Sequence, residues 1–231
     1  MNILEEAKSR KNMDALNHYV GFGNPSSNYW FMGVEEGGEW SKQNIDQLTY
    51  YFNKYLNSKG PYFFTSEEIK ENNMSNDISK TSTKIAQFVA KKREYDNETE
   101  INDSIFEYVF QLNLLPLSNK GYAKSDYPSE FYFNNFGVRK RNDYLKSDYY
   151  NDRIKILNDF MSAYLFNSLG AKLLLIYGKG YWYYVLNCLK LSGAVSDFNL
   201  DRQKNVNHIK YNNTQIYFIR HISRFTDLNQ L

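Results

Sequence analysis

The feature that most constrains this chain is the stretch Tyr29–Trp40, YWFMGVEEGGEW. From Tyr29 to Val34 it is one continuous apolar and aromatic run, which suits a strand covered on both faces. The run stops at two adjacent carboxylates, Glu35 and Glu36, followed by Gly37 and Gly38. Glycine lets the main chain approach a ligand closely and adopt positive φ, so this step reads as an open, acidic loop. In open α/β sheets ligands sit beyond the carboxyl ends of the strands, where such a loop falls. A solvated turn carrying two acidic residues is the other reading of the same positions.

The rest of the chain repeats the alternation. Residues 2–18 read as a short amphipathic helix with Ile3, Leu4, Ala7 and Leu16 apolar; Gly21, Gly23 and Pro25 break it. Ile45, Leu48, Tyr51, Phe52 and Leu56 recur at helical spacing until Lys59-Gly60-Pro61. Residues 62–104 are rich in Asn and charge and read as a mobile insertion with one helix at 81–93. Phe106–Leu117 contains a buried strand that ends near Asn113, a costly place for an amide unless something pairs with it.

Segment 118–140 reads as a loop, aromatic and basic, leading into Arg139-Lys140-Arg141. Aromatics interleaved with cations suit single-stranded nucleic acid, although the pattern is common in ordinary surface loops with aromatic anchors. Ile154, Leu157, Phe160, Met161, Tyr164 and Leu165 trace the apolar face of a helix at 148–168, with Gly170 as its cap. KLLLIY (Lys172–Tyr177) is a central strand, and Gly178-Lys179-Gly180 leads from it into another helix. That step offers a phosphate seat at the helix N-terminus or is simply a tight turn, and it lacks P-loop spacing. Asn207–Tyr211, a turn at Asn212-Asn213 and the strand Gln215–Arg220 close the pattern, delivering His221-Ile222-Ser223-Arg224. Helices and strands alternate throughout, which predicts a single α/β domain over 1–231, three-layered around a central, mainly parallel sheet.

Composition excludes several classes. Net charge is +2, compatible with nucleic acid without arguing for it. The single cysteine, Cys188, excludes an intrachain disulfide and a Cys-rich zinc or iron–sulfur centre, and its apolar helical setting marks it as core. One His beside two Glu is a poor metal set, so neither metal nor cofactor is expected. The start has no signal-peptide shape and no run is long enough for a membrane span, which predicts a soluble, cytoplasmic protein. Nothing in the sequence bears on oligomeric state.

In a parallel sheet the ends of four strands project from one edge: Glu35/Glu36, Asn113, Gly178-Lys179 and His221 with Ser223. A carboxylate, an amide and an imidazole meeting in one crevice can hydrolyse a bond without metal. The carboxylate orients water or stabilises a developing cation, the amide reads a polar edge, and the imidazole stabilises the leaving group.

Gly33-Val34-Glu35-Glu36-Gly37, Gln111-Leu112-Asn113, Leu173–Gly180 and His221-Ile222-Ser223, in this order, resemble the motifs of the uracil-DNA glycosylase superfamily over roughly residues 25–225. The resemblance implies that fold, DNA as partner, a role in DNA repair, and cleavage of the N-glycosidic bond of a flipped-out base, uracil or a modified one. It implies Glu35 as water positioner with Glu36 beside it, His221 as leaving-group stabiliser and Asn113 as base reader. Trp40 is the nearest downstream aromatic for stacking, and Lys179, Ser223, Arg224, Arg139 and Arg141 are the candidate DNA contacts. The family's motif prolines are here Glu36 and Ile222. A glycosylase-fold protein that binds nucleic acid without catalysis, and a nucleotide-handling α/β hydrolase, are the alternatives; no GxSxG elbow or Walker motif supports the last.

Overall fold

The computed structural model describes residues 3–33, 45–58, 60–71, 80–93, 105–117, 130–170, 172–191, 193, 200–201 and 203–220. The first half runs α1 (Ile3–His18), β1 (Tyr19–Gly23), β2 (Tyr29–Gly33), α2 (Ile45–Ser58), β3 (Tyr62–Phe64), α3 (Ser66–Glu71) and α4 (Lys80–Arg93). Then follow α5 (Ile105–Tyr108), β4 (Val109–Asn113), α6 (Glu130–Phe136), α7 (Arg141–Leu145) and α8 (Asp148–Met161). The last elements are β5 (Lys172–Tyr177), α9 (Trp182–Leu191), β6 (Val206–Tyr211) and β7 (Thr214–Ile219). This is a mixed α/β protein whose seven-stranded, mainly parallel sheet has the order β3-β1-β4-β2-β5-β7-β6. Two compact units are distinguished: Met1–Val20, Glu35–Tyr62 and Asn113–Leu157 form the first, and Gly21–Val34, Phe63–Leu112 and Asn158–Leu231 the second.

The second unit holds most of the sheet. β2, β5 and β7 run parallel, Trp30 lying beside Leu174 and Leu174 beside Ile216. The starting ends of β4 and β2 lie together, since Ser27 Oγ donates to the Tyr108 carbonyl and the rings of Trp30 and Phe110 are 4.6 Å apart. β4 therefore runs in the same direction as its neighbour β2. β6 returns antiparallel to β7 and puts His208 and Lys210 on an exposed outer strand, residues that discourage further strand pairing.

Side chains alternate across a strand, and β2 buries both sets. Trp30 meets Phe160 at 5.9 Å and Phe31 meets Phe88 at 6.0 Å. The apolar run at Tyr29 is thus a strand covered on both faces, as its composition predicts.

Four expectations need correction. The segment 62–104 is not merely an inserted loop: Tyr62–Phe64 is a sheet strand, and Ile85, Phe88 and Val89 of α4 are buried against Phe31, Val109, Leu175 and Ile219. Gly21 and Gly23 do not break the chain but belong to β1, which pairs antiparallel with β4. A Cβ at Gly23 would stand 2.3 Å from the Val109 carbonyl oxygen, so glycine is what lets the two strands approach. The expected loop at 118–140 contains α6. The helix expected at 148–168 passes at Ser162 into a π-helical turn that ends at Phe166, and Gly170 is not its cap. Its freed carbonyls are taken by the β6–β7 turn: Asn212 Nδ2 donates to Phe166 and Thr214 Oγ1 to Leu165.

In the first unit, α1 packs against α2 and α6. Ser9, Met13 and Leu16 are buried at i, i+4, i+7 spacing, and Ser9 Oγ donates to the Asn134 carbonyl at 2.9 Å. Tyr19, Tyr51 and Tyr62 cluster beside this helix, with the Tyr62 hydroxyl donating to the Ala15 carbonyl at 2.8 Å. Asn17, also buried, accepts from the Tyr144 hydroxyl and donates to the Tyr149 carbonyl, both at 2.7 Å. The polar groups of Ser9, Asn17 and Tyr62 are therefore matched inside this core rather than excluded from it.

Candidate functional site

The directions of β2, β5 and β7 decide where their sequels leave the sheet. All three end at one edge, at Gly33, Tyr177 and Ile219. The chain continues from these ends toward Glu35-Glu36, Gly178-Lys179 and His221. β4, which spans Val109–Asn113, runs in the same direction. Glu35, Glu36, Trp40, His221, Ser223 and Arg224 themselves lie outside the described residues.

Where β5 ends, Gly178 adopts φ 103°, a left-handed conformation that costs a side-chain-bearing residue about 1–2 kcal/mol. This turns the chain so that the N–H groups of Gly178 and Lys179 both donate to the Arg220 carbonyl, at 2.9 and 3.2 Å. The residue preceding His221 is thereby fastened to the Gly178-Lys179 turn. The helix behind it is anchored through Trp182, 1% exposed, whose indole N–H donates to the Ile219 carbonyl at 3.2 Å. The side chains of Lys179 and Arg220 have no partner among the described residues.

Asn113, in the first unit, is half-buried as the last residue of β4. Its carbonyl accepts from Arg153 Nη2 at 2.6 Å. Its side-chain amide has no hydrogen-bond partner among the described residues, which leaves it open to water or to a ligand's polar edge.

Arg153 is the residue that sequence reasoning missed. It is 1% exposed, and besides Asn113 it donates to the carbonyls of Leu114 at 3.3 Å, Asn17 at 2.8 Å and Tyr19. A guanidinium carries five N–H donors in a rigid fork, which is why arginine rather than lysine can serve so many acceptors at once. Burial pushes the Tyr62 phenol well above its ordinary value, and the Arg153 charge works in the opposite direction. One signal was present: Arg153, Leu157 and Phe160 fall at i, i+4, i+7 on the apolar side of α8.

The cationic cluster at 139–141 divides. Arg139 is exposed, its guanidinium 4.0 Å from the centre of the Phe133 ring, a cation–π pair that leaves its rim open to an anion. Arg141 is 3% exposed and lies inside the unit, so it does not extend a surface stripe with Arg139. Cys188 is fully buried in α9. Among the described residues no helix is long and apolar enough to cross a membrane.

Chemically, the edge offers an exposed cation at Arg220, a half-exposed one at Lys179, and main-chain turns that end the parallel strands. No protein-family model, curated protein or solved structure matches the chain.

Proposed function

We propose that this protein is a uracil-DNA-glycosylase-like hydrolase of three-layer α/β/α architecture that cleaves the N-glycosidic bond of a base turned out of DNA. The observation that supports it most is the common direction of β2, β5 and β7, whose carboxyl ends lead toward Glu35, Lys179 and His221. The half-buried Asn113 amide, without a hydrogen-bond partner among the described residues, is a second support.

In this reading a water oxygen bonds to the sugar C1′ as the C1′–N bond breaks, and the base departs with the bonding pair. Glu35 orients that water, takes its proton and faces the positive charge growing on the sugar, with Glu36 beside it. His221 stabilises the departing base, Asn113 reads its edge and Trp40 stacks on it. Lys179, Arg139, Ser223 and Arg224 meet phosphates; the buried Arg141 is not among them.

The test is a strand-cleavage assay on oligonucleotides carrying a single uracil or one of several modified bases, with alkali revealing abasic sites. One substrate should be converted, and Glu35→Gln or His221→Ala should slow it by about 10²–10⁴-fold. No conversion and no binding of any oligonucleotide overturns the proposal. Replacement of both motif prolines, by Glu36 and Ile222, favours a second reading, a binding protein that has lost the chemistry. Binding that survives both substitutions, with no base released, selects it.

A further inference from the structure

The outer face of α9 sets an exposed aromatic ring among cations. Its inner residues Trp182, Val185, Leu186, Cys188 and Leu189 are all buried. Outward at helical spacing stand Tyr183, Asn187 and Lys190, with Lys179 four residues before Tyr183 in the preceding turn. Tyr183 is 55% exposed, and its hydroxyl has no partner among the described residues. Its ring stands edge-on to Tyr184 at 5.9 Å, and Tyr184 lies 5.8 Å from Tyr181, so the exposed ring is braced from behind.

The charge on this face is of one sign. The chain has 26 acidic residues, yet residues 172–191 contain none. By contrast α8 mixes Asp148, Asp152 and Asp159 with Lys155, the ordinary pattern of a solvated helix. Arg220 adds a third cation beside Lys179, to whose N–H its carbonyl is bonded. A solvated face needs no exposed aromatic ring and gains nothing from excluding carboxylates. A sugar–phosphate chain with unpaired bases needs both, since bases stack on rings and phosphates meet cations.

We propose that the stripe Lys179–Tyr183–Asn187–Lys190, about 16 Å long by helical rise, is a binding track for single-stranded DNA. A base stacks on Tyr183, Asn187 offers an amide to a base or sugar, and Lys179, Lys190 and Arg220 take phosphates. The track starts where β5 ends, at the sheet edge from which the proposed catalytic segments leave. It rests on the nucleic-acid reading of that edge but not on any chemistry there.

The experiment is fluorescence anisotropy with the full chain and three labelled probes: a short oligothymidine, an abasic oligomer of equal length and a duplex. Oligothymidine should bind more tightly than the abasic chain. Tyr183→Ala should weaken oligothymidine by about tenfold and leave the abasic probe unchanged, whereas Tyr183→Phe, which keeps the ring, should bind like the parent. Lys179→Ala and Lys190→Ala should weaken both single-stranded probes and each lower the salt slope by about 0.7. Equal affinity for the abasic and base-bearing probes, or no effect of Tyr183→Ala, overturns the track while leaving the nucleic-acid reading standing. Tyr183-dependent self-association without DNA affinity also overturns it. Failure of the parent to bind any probe removes the nucleic-acid reading itself.

Discussion

The two edges of the parallel strands in the second unit are built on different plans. At the amino edge, side chains serve the main chain. Lys172 Nζ donates to the carbonyls of Ser26 and Ser27, both at 2.6 Å, and Asn213 Nδ2 to that of Leu169 at 3.2 Å. Thr214, Ser27 and the Trp30 indole do the same for Leu165, Tyr108 and Ser27. At the carboxyl edge, the Gly178, Lys179 and Arg220 main chain pairs with itself, and the Trp182 indole is spent on the Ile219 carbonyl. The side chains of Lys179, Tyr183 and Arg220 have no hydrogen-bond partner among the described residues. One edge fixes the strands; the other presents what they carry.

Substitutions can break this contrast, beginning with the largest expected effect. Gly23 ends β1 at the amino edge with φ +103°, and a Cβ there would meet the Val109 oxygen. Gly23→Ala should cost at least about 3 kcal/mol by urea unfolding. A loss under ~1 kcal/mol would mean that β1 does not depend on that close approach.

Lys172→Met comes next, at about 1–3 kcal/mol, because two main-chain carbonyls lose a charged donor. Burial holds the Lys172 ammonium below its ordinary value of 10.5. Between the lowered value and 10.5, the unfolded chain binds a proton that the folded chain has released, so this group makes stability rise with pH in that window. The difference in stability between parent and Lys172→Met should therefore shift in the parent's favour as pH rises through it. A constant difference would place the ammonium in water.

Thr214→Val keeps shape and removes one donor; it should cost about 1 kcal/mol. Smallest of all, Lys179→Ala and Tyr183→Ala should each change stability by no more than ~0.5 kcal/mol. Should either cost as much as Lys172→Met, the carboxyl edge is also a structural joint and the contrast fails.

What the sequence disclosed follows from how local each signal is. KLLLIY, an apolar run stopped by Gly178, could be read to the residue as β5, and Asn212-Asn213 marked the β6–β7 turn. β1 was hidden because YVGFG looks like a break. Only its fit against β4, some 90 residues away, turns two glycines into strand residues. α4 looked peripheral because its neighbours in sequence are polar, although Phe88 and Val89 face the core. Of the candidate site, the strand ends were legible, since an apolar run that stops at polar residues announces an edge. Arg153 was not, because a charge inside a helical pattern is normally assigned to solvent. Arg141 was misassigned for the same reason. The segments bearing Glu35, Glu36, Trp40, His221, Ser223 and Arg224 lie outside the described residues.

Arg153 has one more consequence, which concerns how the first unit assembles. Its fork draws together chain from positions 17 to 19 and from 113 to 114, so two of its contacts span more than 130 residues. A form of this unit that buried the guanidinium without the amino-terminal helix in place would strip its water without supplying those acceptors, at the cost of an unmet buried charge. Compact forms that bury Arg153 but omit the contacts to residues 17–19 are therefore penalised, which ties the two ends of this long loop together in the native unit.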